Sequence, residues 1–207
     1  MIKGLTLDGL RISLKGELLL SLDATIAPGE VLTVMGASGS GKSSLLAYVA
    51  GFLHGDFAAE GRVILDGADV TTLPAEKRRI GLLFQDAMLF PHLSVLGNIL
   101  FGLPADAPDR RARAQAALAE VGLEGFGARD PATLSGGQKA RIALMRLLLS
   151  EPHAVLLDEP FSKLDASLKD ELRSLVFARL KARKLPGLLV SHDDADAKAA
   201  GGPVIRI

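Results

Sequence analysis

The 207-residue chain contains no cysteine, and it carries no excess of charge of either sign. Without thiols, disulfide bonds and thiolate metal sites are excluded, and the composition suits a reducing compartment. Because 24 basic side chains balance 24 acidic ones, no overall field draws the chain to nucleic acid or to anionic lipid. We therefore expect no nucleic-acid partner, and we expect the basic triplet at residues 77–79 to be a solvated face.

Long apolar runs are also missing. No stretch approaches the length of about 20 apolar residues that a helix needs to span a bilayer. Residues 1–5 lack the apolar core and the cleavage site of a signal peptide. We therefore expect a soluble chain that reaches a membrane only through a partner. Apolar residues make up 48% of the sequence, which predicts a folded domain with a substantial core.

Short apolar runs alternate with helix-like segments along the chain. The runs that predict strands are residues 10–14, 18–20, 31–35, 61–65, 80–84, 154–157, 188–190 and 204–207. Asp66-Gly67 predicts a turn, residues 86–149 have a mainly helical pattern, and Asp165 is expected to cap a further helix. This alternation predicts an α/β fold with a mostly parallel sheet that is covered on both faces.

A glycine-rich segment of the form G-x-x-x-x-G-K-[ST] follows the run at residues 31–35 and precedes a helix-like segment. Its residues, with the first residue of the helix-like segment, are Gly36, Ala37, Ser38, Gly39, Ser40, Gly41, Lys42, Ser43 and Ser44. Strand, glycine turn and helix together form a phosphate-binding loop, where backbone N–H groups and a helix N-terminus face phosphate oxygens. Lys42 would reach the β- and γ-phosphates, and the Ser43 hydroxyl would coordinate Mg²⁺. The motif predicts binding of a nucleoside triphosphate.

Polar residues also follow several of the other predicted strands, as Gln85, Asp158, Glu159 and His192 do. In open parallel sheets the ligand binds beyond the carboxyl ends of the strands, so these residues predict one site together with Gly36. Asp158, at a strand end, is the candidate to hold Mg²⁺ with Ser43. Glu159 is the candidate to accept a proton from an attacking water.

A second glycine motif lies far from the first, at the start of another helix-like run. Its residues are Leu134, Ser135, Gly136, Gly137 and Gln138. It predicts a second anion-binding helix end, which two chains arranged head to tail would need, each closing on the nucleotide of the other. This LSGGQ segment, the phosphate loop, Gln85, Asp158-Glu159-Pro160, Ser162-Lys163-Leu164-Asp165 and His192 together resemble the ATP-binding cassette (ABC) ATPases over essentially the whole chain.

The resemblance implies a P-loop NTPase fold that binds ATP and Mg²⁺. Residues 1–85 and 150–207 would form the nucleotide-binding core with an N-terminal antiparallel β subdomain. Residues 86–149 would form an inserted helical subdomain, which in the family docks a helix of the membrane partner. The resemblance also implies roles for individual residues. Gln85 would contact Mg²⁺ and the attacking water, and His192 would contact the γ-phosphate and help to orient Glu159. Ser135, Gly136 and Gly137 would clamp the γ-phosphate bound to the opposite protomer, and Asp165 would lie at the dimer seam.

Two positions depart from the family pattern. The family usually stacks adenine on an aromatic residue upstream of the phosphate loop, but residues 10–22 contain none. The nearest equivalents are Ile12, Ser13 and Leu14, so adenine is expected to lie against aliphatic side chains. Lys163 occupies a position often held by a small residue, and it adds a charge near the expected dimer seam.

Residues 84–95 and 98–99 resemble short ATPase subunits of bacterial importers of the thiamine, molybdate and spermidine type. This implies a subunit that forms a homodimer with ATP and powers integral membrane permease subunits at the cytoplasmic face of the inner membrane, with a solute-binding protein as a further partner. The alternatives are a soluble ABC ATPase that acts on DNA or ribosomes, and an ABC exporter or lipoprotein-release subunit. A phosphate-loop kinase would lack the LSGGQ segment.

Overall fold

Two β-sheets, with helices between their strands, make up the protein. The computed structural model describes residues 3–37 and 39–207, apart from the side chain of Ser167. The strands are Leu5–Leu14 (β1), Glu17–Ile26 (β2), Val31–Met35 (β3), Phe57–Leu65 (β4), Ala68–Asp69 (β5), Ile80–Leu83 (β6), Ala154–Asp158 (β7), Gly187–Ser191 (β8) and Val204–Arg206 (β9). The helices are Lys42–Ala50 (α1), Ala75–Arg78 (α2), Val95–Gly102 (α3), Arg110–Glu120 (α4), Gly136–Leu149 (α5), Ala166–Ala182 (α6) and Asp194–Ala200 (α7), with a 3₁₀ turn at Pro131–Thr133.

The larger sheet has the order β6-β7-β8-β3-β9, and all of its strand pairs are parallel. Alternate side chains of each strand enter two separate cores. Leu32 and Val34 pack with α1 and the smaller sheet, whereas Val155 and Leu157 pack with helices α3 to α6 on the other face. Strands buried on both faces need continuous apolar runs. The predicted α/β fold with a mostly parallel sheet is confirmed.

The smaller sheet is antiparallel, with the order β2-β1-β4-β5. Its hairpin turns are Lys15-Gly16, with φ of 50° and 86°, and the predicted Asp66-Gly67, with φ of 51° and 84°. Two successive positive φ values match the right-handed twist of paired strands. The strands are longer than their apolar runs, because main-chain hydrogen bonding continues through outward-facing polar residues. For example, Asp8 of β1 lies opposite Arg62 of β4, and their side chains form an ion pair.

Helix α5 begins at Gly136, where Ser135 caps its first turn, so the helix start predicted at the LSGGQ segment is confirmed. Two other local expectations are corrected by the structure. Asp165 lies at the N-cap position of α6, but its side chain makes no capping hydrogen bond. Within the basic triplet, Arg78 is buried rather than solvated. Its guanidinium donates to the main-chain carbonyls of residues 48, 49, 71 and 73, which ties α2 to the end of α1.

Among residues 3–37 and 39–207, no helix has both the length and the apolar character that crossing a lipid bilayer requires.

Helices α3 and α5 approach each other closely at Gly102, the last residue of α3. A Cβ atom at this position would collide with the main chain of Arg146 in α5. We expect Gly102→Ala to lower the free energy of unfolding by about 1–3 kcal/mol, the usual cost of overpacking, as measured by urea denaturation. Gly55→Ala is the matched control, because a Cβ atom there meets nothing within 4 Å. Equal stability of the two variants would contradict the close approach.

Candidate functional site

The carboxyl ends of four parallel strands meet at one edge of the larger sheet. Met35 at the end of β3 is in register with Ser191 at the end of β8, and Asp158 at the end of β7 is in register with Val190. The predicted site residues that follow these strands therefore lie along one edge, as Gly36 does after β3, Gln85 after β6, Glu159 after β7 and His192 after β8.

The glycine-rich segment forms a tight turn between β3 and α1. Gly36 has no room for a side chain, because a Cβ atom would lie 2.7 Å from the Ile207 carbonyl oxygen and 2.8 Å from Ser40 Oγ. Gly39 and Gly41 have φ of 86° and 87°, a backbone conformation that glycine adopts without strain. Ser38 lies outside the described residues. The turn delivers the chain to the N-terminus of α1, where no acidic residue occupies the first turn, so the N-terminal backbone amides suit an anion.

The Lys42 side chain is folded back over the turn. It is only 7% exposed, and its Nζ donates to the carbonyl oxygens of Gly36 at 2.8 Å and Ala37 at 2.7 Å. A buried ammonium needs such partners, because burial without them is costly. The lysine charge is thus already positioned at the turn. When a phosphate binds, the Lys42 ammonium would exchange its hydrogen bonds to the two carbonyl oxygens for bonds to a negatively charged oxygen.

Asp158 and Ser43 place two oxygen ligands beside the turn. Burial raises the pKa of Asp158, and the neighbouring Glu159 raises it further, whereas a hydrogen bond from Ser43 and the charge of Lys42 oppose the shift. Among the described residues, no group of three or more His, Cys, Asp or Glu side chains converges on a metal site. Two hard oxygen ligands suit a Mg²⁺ ion that takes its other ligands from phosphate and water.

Glu159 is bent out of β7 towards His192. Its φ of 45° lies in the left-handed region, which costs a non-glycine residue roughly 1–3 kcal/mol. The Glu159 amide donates to the Val190 carbonyl oxygen at 3.0 Å, and this bond fixes the bend against β8. Glu159 Oε1 then lies 3.1 Å from His192 Nδ1. The structure therefore brings the carboxylate and the imidazole together at the exposed edge of the sheet.

The LSGGQ segment forms a reciprocal cap on α5. Ser135 Oγ accepts a hydrogen bond from the Gln138 amide at 3.3 Å, and Gln138 Oε1 accepts one from the Ser135 amide at 3.0 Å. Leu134 and Gly137 are buried, whereas Ser135 and Gly136 are exposed. None of these residues lines the cavity beside the phosphate turn. Asp165 is likewise exposed and does not line that cavity.

Gln85 is exposed after β6, and among the described residues its side chain makes no hydrogen bond. The next residue, Asp86, accepts two hydrogen bonds from Lys163 Nζ at 2.6 and 2.8 Å. The charge that the sequence places near Asp165 is therefore paired, and it links the segment before α6 with the segment after β6.

The sequence of this chain is similar to those of known ATP-binding subunits of ABC transporters. The sequence profile of the ABC transporter family matches residues 19–162. The chain belongs to the ABC transporter family. It is 45% identical over 187 residues to the uncharacterized ABC transporter ATP-binding protein YnjD of Escherichia coli (strain K12), covering 89% of this chain and 86% of that protein. It is 45% identical over 198 residues to the thiamine import ATP-binding protein ThiQ of Jannaschia sp. (strain CCS1), covering 94% and 84%.

A solved structure has the same fold. The ATP-binding cassette MJ0796, described as a dimer in a post-hydrolysis state bound to ADP and Pi, matches with a TM-score of 0.79 and 29% identity over 98% of this chain and 94% of that one. The chain is thus an ABC ATPase, with a parallel core sheet, an antiparallel β-sheet built largely from its N-terminal strands and helices inserted between β6 and β7.

In this ABC ATPase, the residues that hold the His192 loop were not predicted from the sequence. Ser191 Oγ donates to Asp196 at 2.5 Å and accepts from the Asp193 amide at 3.1 Å. Arg173 of α6, 7% exposed, donates to Asp196 and Asp193, both at 2.6 Å. Arg173 lies off the apolar stripe of its helix, so helical periodicity alone gives no sign that it is buried. The cluster of acidic residues after His192 was the available signal for a buried cationic partner.

An aromatic residue that lines the cavity beside the phosphate turn was not predicted from the sequence either. A cavity of about 300 Å³ beside Lys42 is lined by Leu14, Leu19 and Phe57. Three positions were expected to contact the base, and of these Leu14 lines the cavity. Ile12 is fully buried, and Ser13 does not line the cavity. Phe57 follows the phosphate loop in sequence, whereas the family's base-stacking aromatic precedes that loop, so the family pattern does not point to Phe57.

The raised pKa of Asp158 predicts a conflict between stability and metal binding. A carboxyl group whose pKa is higher in the folded state disfavours folding when it is ionised, so Asp158→Asn should raise the melting temperature of the nucleotide-free protein at neutral pH. The same variant should lose the Mg²⁺-dependent part of the thermal shift caused by ATP. Asp106→Asn, at an exposed turn, is the control. A lower melting temperature for Asp158→Asn would show that the hydrogen bond from Ser43 and the attraction of the Lys42 charge outweigh the cost of burying the Asp158 carboxylate.

Proposed function

We propose that the chain is the ATPase subunit of a bacterial importer, and that two copies close head to tail around two ATP–Mg²⁺ to drive a membrane permease. The observation that carries the proposal is the separation of two anion-binding helix ends on one chain. The phosphate turn lies at α1, whereas the exposed Ser135 and Gly136 lie at the start of α5 and line no cavity with it. A second copy in head-to-tail arrangement would bring each signature to the other's nucleotide.

In this proposal each side chain has a defined task. Lys42 would leave the loop carbonyls for the β- and γ-phosphates, and the N-terminus of α5 from the partner copy would face the γ-phosphate. Glu159 would take the proton of the attacking water, and His192, hydrogen-bonded to it, would fix its orientation. Ser43, Asp158 and Gln85 would hold Mg²⁺, which would supply positive charge to the phosphates. These are electrostatic and positioning roles, which dominate phosphoryl transfer.

The importer assignment is supported by the thiamine import relative and by an apolar groove beside β6. The groove encloses about 300 Å³ between β6, α3 and α5. Its lining residues Phe101 and Phe84 are 65% and 42% exposed, and Met88, which follows the lining residue Ala87, is 62% exposed. Large exposed apolar side chains that cluster in this way are typical of an interaction site. We propose that a cytoplasmic helix of the permease occupies the groove, which would hold the protein at the cytoplasmic face of the inner membrane.

A polar network shapes one wall of this groove. Arg146 donates to the Ala87 carbonyl oxygen at 3.1 Å and to Asn98 Oδ1 at 3.3 Å. Buried Asn98 in turn bonds the main chain of Phe90 in both directions. These bonds hold the loop after Gln85 against α3 and α5, so a helix pressed into the groove would act on the loop that carries Gln85. A solute-binding protein is the remaining proposed partner, on the far side of the membrane.

Glu159→Gln tests the catalytic base and the partner together. Because the amide still accepts hydrogen bonds but takes no proton, we expect ATP to bind, turnover to fall by roughly 10²–10⁴-fold, and a dimer to persist in size-exclusion chromatography with ATP and Mg²⁺. Glu124→Gln, on the exposed surface, is the control. Unchanged turnover in Glu159→Gln would remove Glu159 as the base.

The same trapped variant, tagged and recovered from detergent-solubilised membranes with ATP, should carry a multi-span permease that mass spectrometry identifies. Recovery of importer permease subunits supports the proposal. Recovery of ribosomal or DNA-associated proteins would instead favour a soluble ABC ATPase, and an export or lipoprotein-release permease would reverse the proposed direction of transport.

Ser135→Arg tests the head-to-tail arrangement. A long cation at the clamp should block closure, so ATP binding should persist while hydrolysis and ATP-dependent dimerisation are lost. Ser94→Arg is a matched control, because Ser94 is also an exposed N-cap serine, with its Oγ accepting from the Gly97 amide at 3.1 Å. Retained turnover in Ser135→Arg would argue against a clamp supplied by the partner copy.

A further inference from the structure

The cavity beside the phosphate turn has a lining of two chemical kinds. The polar part comes from Gly39, Gly41, Lys42, Ser43 and Ser44 of the phosphate turn and the start of α1, and from Glu159 after β7. The remaining lining residues, Leu14, Leu19 and Phe57, are apolar. A nucleotide likewise has a charged phosphate chain and a flat base. The polar lining suits the phosphates, and the apolar side chains suit the base.

Phe57 is held in place by the antiparallel sheet. It is the first residue of β4 and lies directly opposite Leu14 of β1, so the two side chains project from the same face of the sheet. Its amide donates to the His54 carbonyl oxygen at 3.1 Å. The ring is partly buried and packs on the core shared by α1 and the smaller sheet, and its remaining surface lines this cavity and a neighbouring one that Phe52 and His54 also line. A ring that is fixed in this way loses little conformational entropy when a ligand stacks on it.

We propose that Phe57 is the base-binding platform for ATP, with Leu14 and Leu19 completing an apolar wall. The platform comes from β4, downstream of the phosphate turn, and not from the strands that precede it. Every base has a π-face, so stacking on an aromatic ring contributes affinity whatever the base. The platform therefore strengthens nucleotide binding in general and selects little between adenine and guanine. This inference rests on the ATP binding of the proposed function.

Binding of two ligands separates the base from the phosphates. ATP and inorganic tripolyphosphate share the phosphate chain, and only ATP carries a base. By isothermal titration calorimetry with Mg²⁺, Phe57→Ala should bind ATP roughly 5- to 150-fold more weakly, the range for loss of one stacked base. Its affinity for tripolyphosphate should be unchanged, and Phe57→Tyr should restore ATP binding. Phe52→Ala is the matched control, because Phe52 is an exposed phenylalanine that lines the neighbouring cavity with Ser44 and Phe57 but does not line this one.

Tryptophan fluorescence gives a second readout that does not depend on affinity. The chain contains no tryptophan, so Phe57→Trp introduces a single reporter at the proposed platform. ATP should quench its emission by stacking, whereas tripolyphosphate should not. Phe52→Trp should respond to neither ligand.

The outcomes are separable from failure of the proposed function. Wild-type affinity for ATP in Phe57→Ala, an equal loss for ATP and tripolyphosphate, or no quenching in Phe57→Trp would each overturn the platform while ATP binding by the wild type stands. If instead Lys42→Ala binds ATP as tightly as the wild type does, the phosphate site itself is wrong, and the proposed function fails with it.

Discussion

Hydrogen bonding between parallel strands holds the site together. The register that places Met35 beside Ser191, and Asp158 beside Val190, brings residues from four separate parts of the sequence to one edge. Each of these strands is buried on both faces, so a shift in register would exchange the two cores and is strongly disfavoured. The rigidity of the sheet is what allows short polar loops at its edge to keep fixed distances.

The charged residues at this edge are held under electrostatic or backbone strain. The Lys42 ammonium donates to neutral carbonyl oxygens of its own loop, the pKa of Asp158 is raised by burial and by Glu159, and Glu159 has a strained backbone. A triphosphate with a divalent cation would supply an anion for the lysine and a cation for the carboxylates. The site is thus built for charges that the chain itself lacks, and strain concentrated at a functional edge is a common pattern.

Helix α6 connects the parts of the proposed dimer site that one chain keeps apart. Near its start, Leu168 packs on Gly137 of the signature, where a Cβ atom would lie 3.2 Å from Leu168 Cδ2. Five residues further on, Arg173 holds the loop of His192 through Asp193 and Asp196. The element that supports the clamp for a partner's nucleotide therefore also supports the histidine beside the chain's own Glu159. A displacement of α6 would be felt at both places.

The sequence by itself determined the α/β fold, the phosphate loop, the capped start of α5 and the order of the polar residues after the strands. These features are written in consecutive residues, because glycine turns, helix caps and apolar runs are local. Only the tertiary structure decided that Phe57 lies opposite Leu14, that Arg173 is buried among three aspartates, and that Lys163 pairs with Asp86. Those contacts join residues far apart in the chain, and they depend on strand register and helix rotation, for which no local pattern exists.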